Sequence, residues 1–341
     1  MNPKRIIISR TDSIGDVVLT FPMCFWIKQN FPEVELVYLG KEYTKPVIES
    51  CSVIDKFINW DEIQQMPSSK KLIFFRGLQA DTIIHVFPNK DISSLAKKAK
   101  ITNRIGTSHR IFHFLTCNYR IDFSRKKSDL HEAQLNFELL RPLGLKNIPS
   151  WEEISTNTAF WNVENQDLPE EIDEFVRSQK NIVILHPKSQ GSAKEWPIEN
   201  YLDLAKELIE SENLVIFTGT ENEGKLFRSK IPTNPSIIDS TGKLTLKQLI
   251  YLISKSTSLV ACSTGPLHIA GLCGIQALGL FSSRRPIHPG RWRPLGSRSK
   301  AIVYDSNCPV CAKKKECSCI EKISVETILA EIKKGAELSS L

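Results

Sequence analysis

Short runs of apolar residues alternate with amphipathic stretches along the whole chain, which is the pattern of parallel sheets covered by helices. Two series are legible. The first predicts strands at 5–9, 34–39, 82–87 and 101–105, with helices at 16–30 and 129–140. The second predicts strands at 181–186, 213–218, 258–262 and 276–281, with helices at 198–210, 245–255 and 266–273, and a last amphipathic helix follows at 324–334. Between the series, residues 147–167 are rich in Asn, Ser, Thr and Pro and lack periodicity, so the domain junction is expected there, giving domains 1–160 and 161–341. The expected fold class is α/β with two doubly wound, Rossmann-like domains. Ligands of such sheets bind beyond the carboxyl ends of the strands, so the loops just after strand endings hold the candidate chemistry.

Composition narrows this little further. With 341 residues, 41% hydrophobic and 24% charged, the chain is long enough for two packed cores, and neither a small disulfide scaffold nor a disordered chain fits. Its apolar runs stop far short of the roughly 20 residues of a membrane-spanning helix. Lys4, Arg5 and a strand-like run open the chain without a secretory pattern, so a cytoplasmic location is expected, with the nine cysteines as reduced thiols or metal ligands. The net charge of +7 is uneven: residues 90–127, Lys126 among them, carry ten Lys/Arg against Asp91 and Asp122. Such a stretch suits a polyanionic partner, or is a solvated basic face.

Four loops carry candidate chemistry. Ser9-Arg10-Thr11-Asp12-Ser13-Ile14-Gly15-Asp16 follows the first strand, and Gly15 permits a tight turn while Asp16 stands at a helix start, where it can also serve simply as an N-cap. It has neither the Gly-x-Gly-x-x-Gly spacing nor a Gly-Lys-Ser/Thr loop, which disfavours redox and ATPase readings. Residues 186–197 follow the first strand of the second series. Their hydroxyls (Ser189 and Ser192), backbone amides and two ammonium groups (Lys188 and Lys194) suit a diphosphate, with Pro197 opening the next helix. Phe217-Thr218-Gly219-Thr220-Glu221 offers Gly219 for close approach and Glu221 for ribose hydroxyls. In Cys262-Ser263-Thr264-Gly265-Pro266-Leu267-His268, Pro266 is expected at the first helical position, so the amides of Thr264, Gly265 and Leu267 make an anion site to which His268 can add a donor.

Residues 12–22 (Asp12-Ser13-Ile14-Gly15-Asp16-Val17-Val18-Leu19-Thr20-Phe21-Pro22), Lys194-Glu195-Trp196-Pro197 and Ser263-Thr264-Gly265-Pro266-Leu267-His268-Ile269-Ala270, in this order and spacing, resemble the heptosyltransferases of glycosyltransferase family 9. The resemblance runs from Arg5 to about Ile302. It implies a GT-B architecture, with an acceptor-binding first domain and a nucleotide-sugar-binding second domain facing across a cleft. It also implies inverting, metal-independent transfer from a nucleotide-activated sugar, most often ADP-heptose. On that resemblance Asp16 is the general base, Lys194 contacts the donor phosphate, Glu221 the nucleoside, and Thr264 and Gly265 the diphosphate, with His268 matching the family histidine. Ser263 departs from members that carry an acid there, which changes the contact to the donor sugar. The basic stretch would receive a phosphorylated or acidic lipid-linked oligosaccharide at an anionic membrane surface, with Arg10, Lys97, Lys98, Arg104, Arg110 and Arg120 as candidate contacts.

Two features stand apart. Arg284, Arg285, Arg291 and Arg293 around Trp292 form a second basic loop, either a closing loop or an exposed one. Cys308, Cys311, Cys317 and Cys319 give C-x2-C-x5-C-x-C within the segment 308–319, enough thiolates for a structural zinc, although the last spacing is short for a zinc knuckle and free thiols are the alternative. The resulting expectation is a peripheral membrane glycosyltransferase needing no cofactor for catalysis. The alternatives are a nucleotide-sugar epimerase of the same fold and a non-catalytic zinc-bearing nucleic-acid-binding protein, for which Phe112, Phe114 and Tyr119 are weak stacking candidates; no nucleic-acid partner is expected.

Overall fold

The computed structural model describes residues 2–125, 127–178, 180–191, 193–313 and 317–337. Lys126 of the basic stretch, Ser192 of the lysine loop and residues 314–316 of the cysteine segment lie outside them. The chain divides into two compact units, Met1–Asn162 and Val163–Leu341. No helix among the described residues is long and apolar enough to cross a membrane.

Each unit is built on a six-stranded, wholly parallel sheet. In the first the strands are β1 (Arg5–Ser9), β2 (Glu35–Gly40), β3 (Lys56–Asn59), β4 (Thr82–His85), β5 (Asn103–Thr107) and β6 (Tyr119–Ile121), in the spatial order β3-β2-β1-β4-β5-β6. In the second they are β7 (Ile182–His186), β8 (Leu214–Phe217), β9 (Ile237–Asp239), β10 (Ser258–Cys262), β11 (Gln276–Phe281) and β12 (Ser299–Val303), in the order β12-β11-β10-β7-β8-β9. Counted from its own first strand, each sheet has the same order, and its direction of winding reverses between the first and fourth strands. Helices on both faces bury the central strands completely, which is why Ile6, Ile7 and Ile8, and Ile182 through Leu185, are uninterrupted apolar runs.

The eight interior strands lie where the apolar runs predict them. The four edge strands β3, β6, β9 and β12 do not stand out in the sequence, because each has one neighbour and a half-exposed face, and so carries polar residues such as Lys56, Arg120, Asp239 and Lys300. The predicted helix 16–30 is in fact two, Ile14–Val18 and Phe21–Asn30. Pro22 supplies no amide to the ladder and its ring would collide with the carbonyl of Val18, so the helix restarts around Leu19 and Thr20. Likewise the stretch predicted as helix 129–140 is an α-helix over Glu132–Phe137 followed by a 3-10 turn over Glu138–Leu143 that contains Pro142 and ends at Gly144 in left-handed conformation.

Residues 147–167 are more ordered than their composition implies. Ser150 and Glu153 form a reciprocal capping box that starts a helix over Trp151–Thr156. Beyond it Phe160 is buried against Phe21 and Phe25, the carbonyl of Phe160 accepts the amide of Ser52 at 2.8 Å, and Trp161 bridges to Cys51. The chain therefore packs on the first unit as far as Asn162.

In the second unit the helix Gly265–Leu272 is seated hard against the loop before β12. A Cβ on Gly271 would lie 2.0 Å from the carbonyl oxygen of Leu295, so only glycine lets the helix approach this closely. That seating fixes where the amino end of the helix emerges beyond β10.

Candidate functional site

In the first unit the loop after β1 starts beside the end of β4, since Ser9 is in register with His85. This is the point at which the strand order reverses. Arg10 turns back under the loop and is only 3% exposed. Its guanidinium grips both carboxylate oxygens of Asp12, at 2.9 and 3.1 Å, bonds Asp16, and lies 3.5 Å from Glu132 and 3.2 Å from the side-chain oxygen of Asn136. Arg125 closes the far side, with Glu132 at 2.9 Å, Asn136 at 3.2 Å and the carbonyl of Val86 at 3.3 Å. Asn136 in turn donates to the carbonyl of Leu19 at 2.9 Å, tying the cluster to the break between the first two helices.

Two arginines and three carboxylates are thus packed together, so each charge is met by an opposite one, as burial requires. Burial would by itself lower the Arg10 pKa, but Asp12, Asp16 and Glu132 raise it, so Arg10 stays cationic. The Asp12 carboxyl is pushed up to about 6, chiefly by burial, with the Asp16 charge adding and Arg10 opposing. Asp16 is not an N-cap. Ser13 occupies that position, and Asp16 sits in the first turn, one oxygen on Arg10 and the other accepting the Ser13 hydroxyl. Its side chain keeps 18% of its surface exposed. The outcome is a carboxylate pair held on one guanidinium and still reachable from solvent.

The basic residues of 90–127 divide by position. Asn89 caps the helix Lys90–Lys98 by accepting the amides of Asp91 and Ile92, and the helix runs back along the sheet, so Lys97 and Lys98 in its last turn lie at the amino edge of the strands. Arg104, at the start of β5, also lies at that edge, donating to the carbonyls of Ile101, Thr102 and Thr116. These three stand at the end of the sheet opposite the β1 loop. Arg120 in the edge strand β6 donates to the carbonyl of Cys117 at 3.0 Å and lies over the Phe114 ring. Arg110, exposed just after β5, and Arg125 are at the carboxyl edge. Arg10, expected on the sequence to meet an acceptor, is instead consumed by the carboxylates.

In the second unit Ala261 is in register with His186, so the loops after β7 and β10 leave the sheet side by side, again at the reversal point. Thr264 caps the helix Gly265–Leu272 through its backbone only. Its buried hydroxyl has no hydrogen-bond partner among the described residues, and the first-turn amides of Gly265 and Leu267 have no acceptor within the helix. Ser263 is half-buried before it, and His268 is buried in the first turn. The Lys194 loop is joined to this turn, since the amide of Trp196 donates to the Cys262 sulfur at 3.3 Å.

Within that loop Glu195 is an organiser that sequence reasoning passed over. It accepts the Ser189 amide at 2.8 Å and pairs with Lys188 at 2.8 Å. Burial would raise its pKa, but Lys188 and Ser189 hold it below the usual carboxylate range. Lys188 and Ser189 thus shape the loop around Glu195, whereas the Lys194 ammonium projects from it to Glu321, at 2.7 Å. Glu221 opens the short helix after β8 and is held by Arg228 through both oxygens, at 3.1 and 2.8 Å, which keeps it ionised. In the 284–293 loop, Arg291 is buried and lies over the Trp292 ring.

Other residues at the β1 end went unnoticed in the sequence. Asp12 stands in the sequence only as part of a motif, and Glu132, Asn136 and His85 carry no local signal. His85 is fully buried, its pKa lowered to about 3 mainly by burial, and neither of its ring nitrogens nor the hydroxyl of Ser9 has a partner among the described residues. A charged pair more than a hundred residues apart, such as Arg10 with Glu132, leaves no local pattern to read.

Residues 74–322 match the family model for glycosyltransferase family 9 (heptosyltransferase). A Haemophilus influenzae protein named only as a glycosyltransferase is 28% identical, with 96% of each chain covered. The lipopolysaccharide core heptosyltransferase OpsX of the same organism is 25% identical, with 97% of each covered. Among solved structures, the Escherichia coli ADP-heptose lipopolysaccharide heptosyltransferase II superposes with a TM-score of 0.77 at 16% identity, covering 99% of this chain and all of that one. These likenesses, with the two doubly wound sheets, give the GT-B fold class, and the family match settles kinship: the chain belongs to glycosyltransferase family 9, the heptosyltransferase family, and is a glycosyltransferase.

Proposed function

We propose that this glycosyltransferase moves heptose from ADP-heptose to a lipopolysaccharide core acceptor, with inversion and without a catalytic metal, at the cytoplasmic face of a membrane. The observation that carries the reading is the carboxylate pair Asp12 and Asp16 held on Arg10 at the reversal point of the first sheet. A solvent-reachable carboxylate of this kind accepts the proton of an acceptor hydroxyl as its oxygen attacks the anomeric carbon. The new glycosidic bond forms on the face opposite the diphosphate, the bond to the diphosphate oxygen breaks, and its electron pair leaves with ADP. Asp16 is assigned as the base, because one of its oxygens is positioned by Arg10 and its side chain is open to solvent. Asp12, sharing the guanidinium, tunes how tightly the pair holds a proton.

The second unit is suited to the leaving group. Charge developing on ADP would be met by Lys194, the Thr264 hydroxyl and the amides of Gly265 and Leu267 at a helix amino end, with His268 beside them. Glu221 would take nucleoside hydroxyls, and Ser263 would face the donor sugar. For the lipid-linked acceptor, support comes from the helix Ile111–Thr116, which starts beyond β5. It exposes Ile111 by 87%, Phe114 by 58% and Leu115 by 71%, beside Arg110 and Arg120. Apolar side chains ringed by cations suit an anionic lipid surface.

The test is a transfer assay with the full chain, ADP-heptose and a core oligosaccharide acceptor in excess EDTA, with the anomeric configuration of the product read by NMR. An inverted product formed under these conditions is expected. A retained configuration, an absolute need for added Mg²⁺ or Mn²⁺, or epimerised donor as the sole product overturns the reading.

A further inference from the structure

The structure brings the four C-terminal cysteines together. Cys308 caps the short helix Pro309–Ala312 and Cys311 stands one turn on, so both sulfurs point the same way, and Cys317 and Cys319 bring two more sulfurs to them. All four sulfurs lie within 4.8 Å of one another, the closest at 3.0, 3.5 and 4.0 Å. These separations surround the edge length of about 3.8 Å for a tetrahedron of thiolates at about 2.3 Å from a zinc ion. They are far longer than the roughly 2.05 Å of a disulfide. The amide of Cys319 points at the Cys317 sulfur at 3.3 Å, as suits a thiolate. Three of the four are buried, and they form a cluster whose members are cysteines alone. Between the short helix and Ile320 the described residues bring only these cysteines into a cluster, and a cross-link or a metal is what holds so small a segment in shape.

The same segment grips the Lys194 loop. The Lys194 ammonium donates to the carbonyl of Cys317, itself one of the four, and pairs with Glu321 at 2.7 Å. Two residues on, the Trp196 indole donates to the carbonyl of Ile323 at 2.9 Å, and Trp196 is packed in the second unit's core with Ile320 and Ile323. We propose that Cys308, Cys311, Cys317 and Cys319 bind one zinc ion, and that this zinc knuckle positions Lys194 beside the Thr264 turn. The metal half stands on the sulfurs alone; the consequence for nucleotide binding rests on the donor reading given above. Zinc here is structural, so it takes no part in the making and breaking of bonds in sugar transfer.

The experiment counts metal in the full-length protein purified without added metal, strips it with a thiol-reactive mercurial and chelator, restores thiols under reduction, and compares stripped and zinc-reloaded protein. One zinc per chain is expected. On stripping, amide hydrogen exchange at 193–196 should quicken and the dissociation constant for ADP should rise about tenfold, the size of one charge-assisted contact. Glu321→Gln, which leaves the cysteines intact, should keep its zinc and still weaken ADP binding. A native protein with negligible metal that also fails to take up zinc overturns the site, as does visible thiolate-to-iron absorption in place of zinc. Unchanged exchange and ADP affinity after stripping overturn the positioning role. If zinc-loaded protein binds no ADP at all, the donor reading falls, while the metal count and the exchange rates still judge the knuckle.

Discussion

The two sheets share one strand order, and each opens loops at the same topological place, yet the two ends are dressed with opposite chemistry. At the end of β1 three carboxylates gather on two arginines, and the proton affinity of Asp12 is pushed to about 6. At the end of β10 there is a helix amino terminus, a buried threonine hydroxyl without a partner among the described residues, and a lysine loop fastened alongside. The winding of the sheet decides where a ligand can sit; on the function proposed above, the few residues after each strand decide whether the place accepts a proton or holds an anion. The contrast extends to how polar groups are satisfied. In the first unit Arg10 is saturated by its own protein, which makes it a positioning group on the proposed function, whereas the buried hydroxyl of Thr264 has no partner among the described residues.

Removing Arg10 should break the first end most completely. Arg10→Met leaves Asp12, Asp16 and Glu132 crowded with one buried counter-ion gone, so unfolding in denaturant should show a loss of about 3 kcal/mol or more, together with loss of transfer. A loss under 1 kcal/mol would mean that the cluster is not the buried network described. Next comes pH. Because the Asp12 pKa is pushed up to about 6, transfer should hold steady above that pH and decline below it, as a proton on Asp12 changes the charge beside Asp16 on the shared guanidinium. ADP affinity should not follow this limb, and if it did, the two ends would not differ as claimed.

Thr264→Val sharpens the other side. Its hydroxyl has no partner to lose among the described residues, so thermal stability should be unchanged or slightly raised, while ADP should bind several-fold more weakly, about 1 kcal/mol for a neutral hydrogen bond. A fall in melting temperature would show that the hydroxyl serves the fold instead. The smallest effect concerns the exposed helix after β5. Ile111→Ser with Leu115→Ser should lower co-sedimentation with anionic phosphatidylglycerol vesicles, with little change in turnover on a soluble acceptor.

Legibility in the sequence followed burial. Most interior strands are apolar on both faces and stand out as runs, β5 with its Asn103 and Arg104 being the exception, whereas the four edge strands, half in water, read as loops. Proline marked the break before Phe21 that periodicity alone passed over. The same holds for function. Asp16, Lys194 and Thr264, the proposed site residues, could be singled out because each lies in a loop after a strand ending and in a recognisable local motif. Glu132, Asn136 and Arg125 complete the carboxylate cluster from a distance in the chain, and only folding brings them to Arg10. Charge counting gathered Lys97, Lys98 and Arg104 with Arg110, but a helix running back along the sheet separates them by the length of a strand, which a tally of basic residues does not register.

The central claim is a division of labour, with the proton acceptor on one unit and the grip on the leaving group on the other. Asp16→Ala tests it most directly when transfer rate and ADP affinity are measured on the same preparation. The account predicts a fall in transfer of about 10² to 10⁴-fold with the ADP dissociation constant unchanged within twofold. Undiminished transfer, or a parallel collapse of ADP binding in a protein that still unfolds cooperatively, would contradict it.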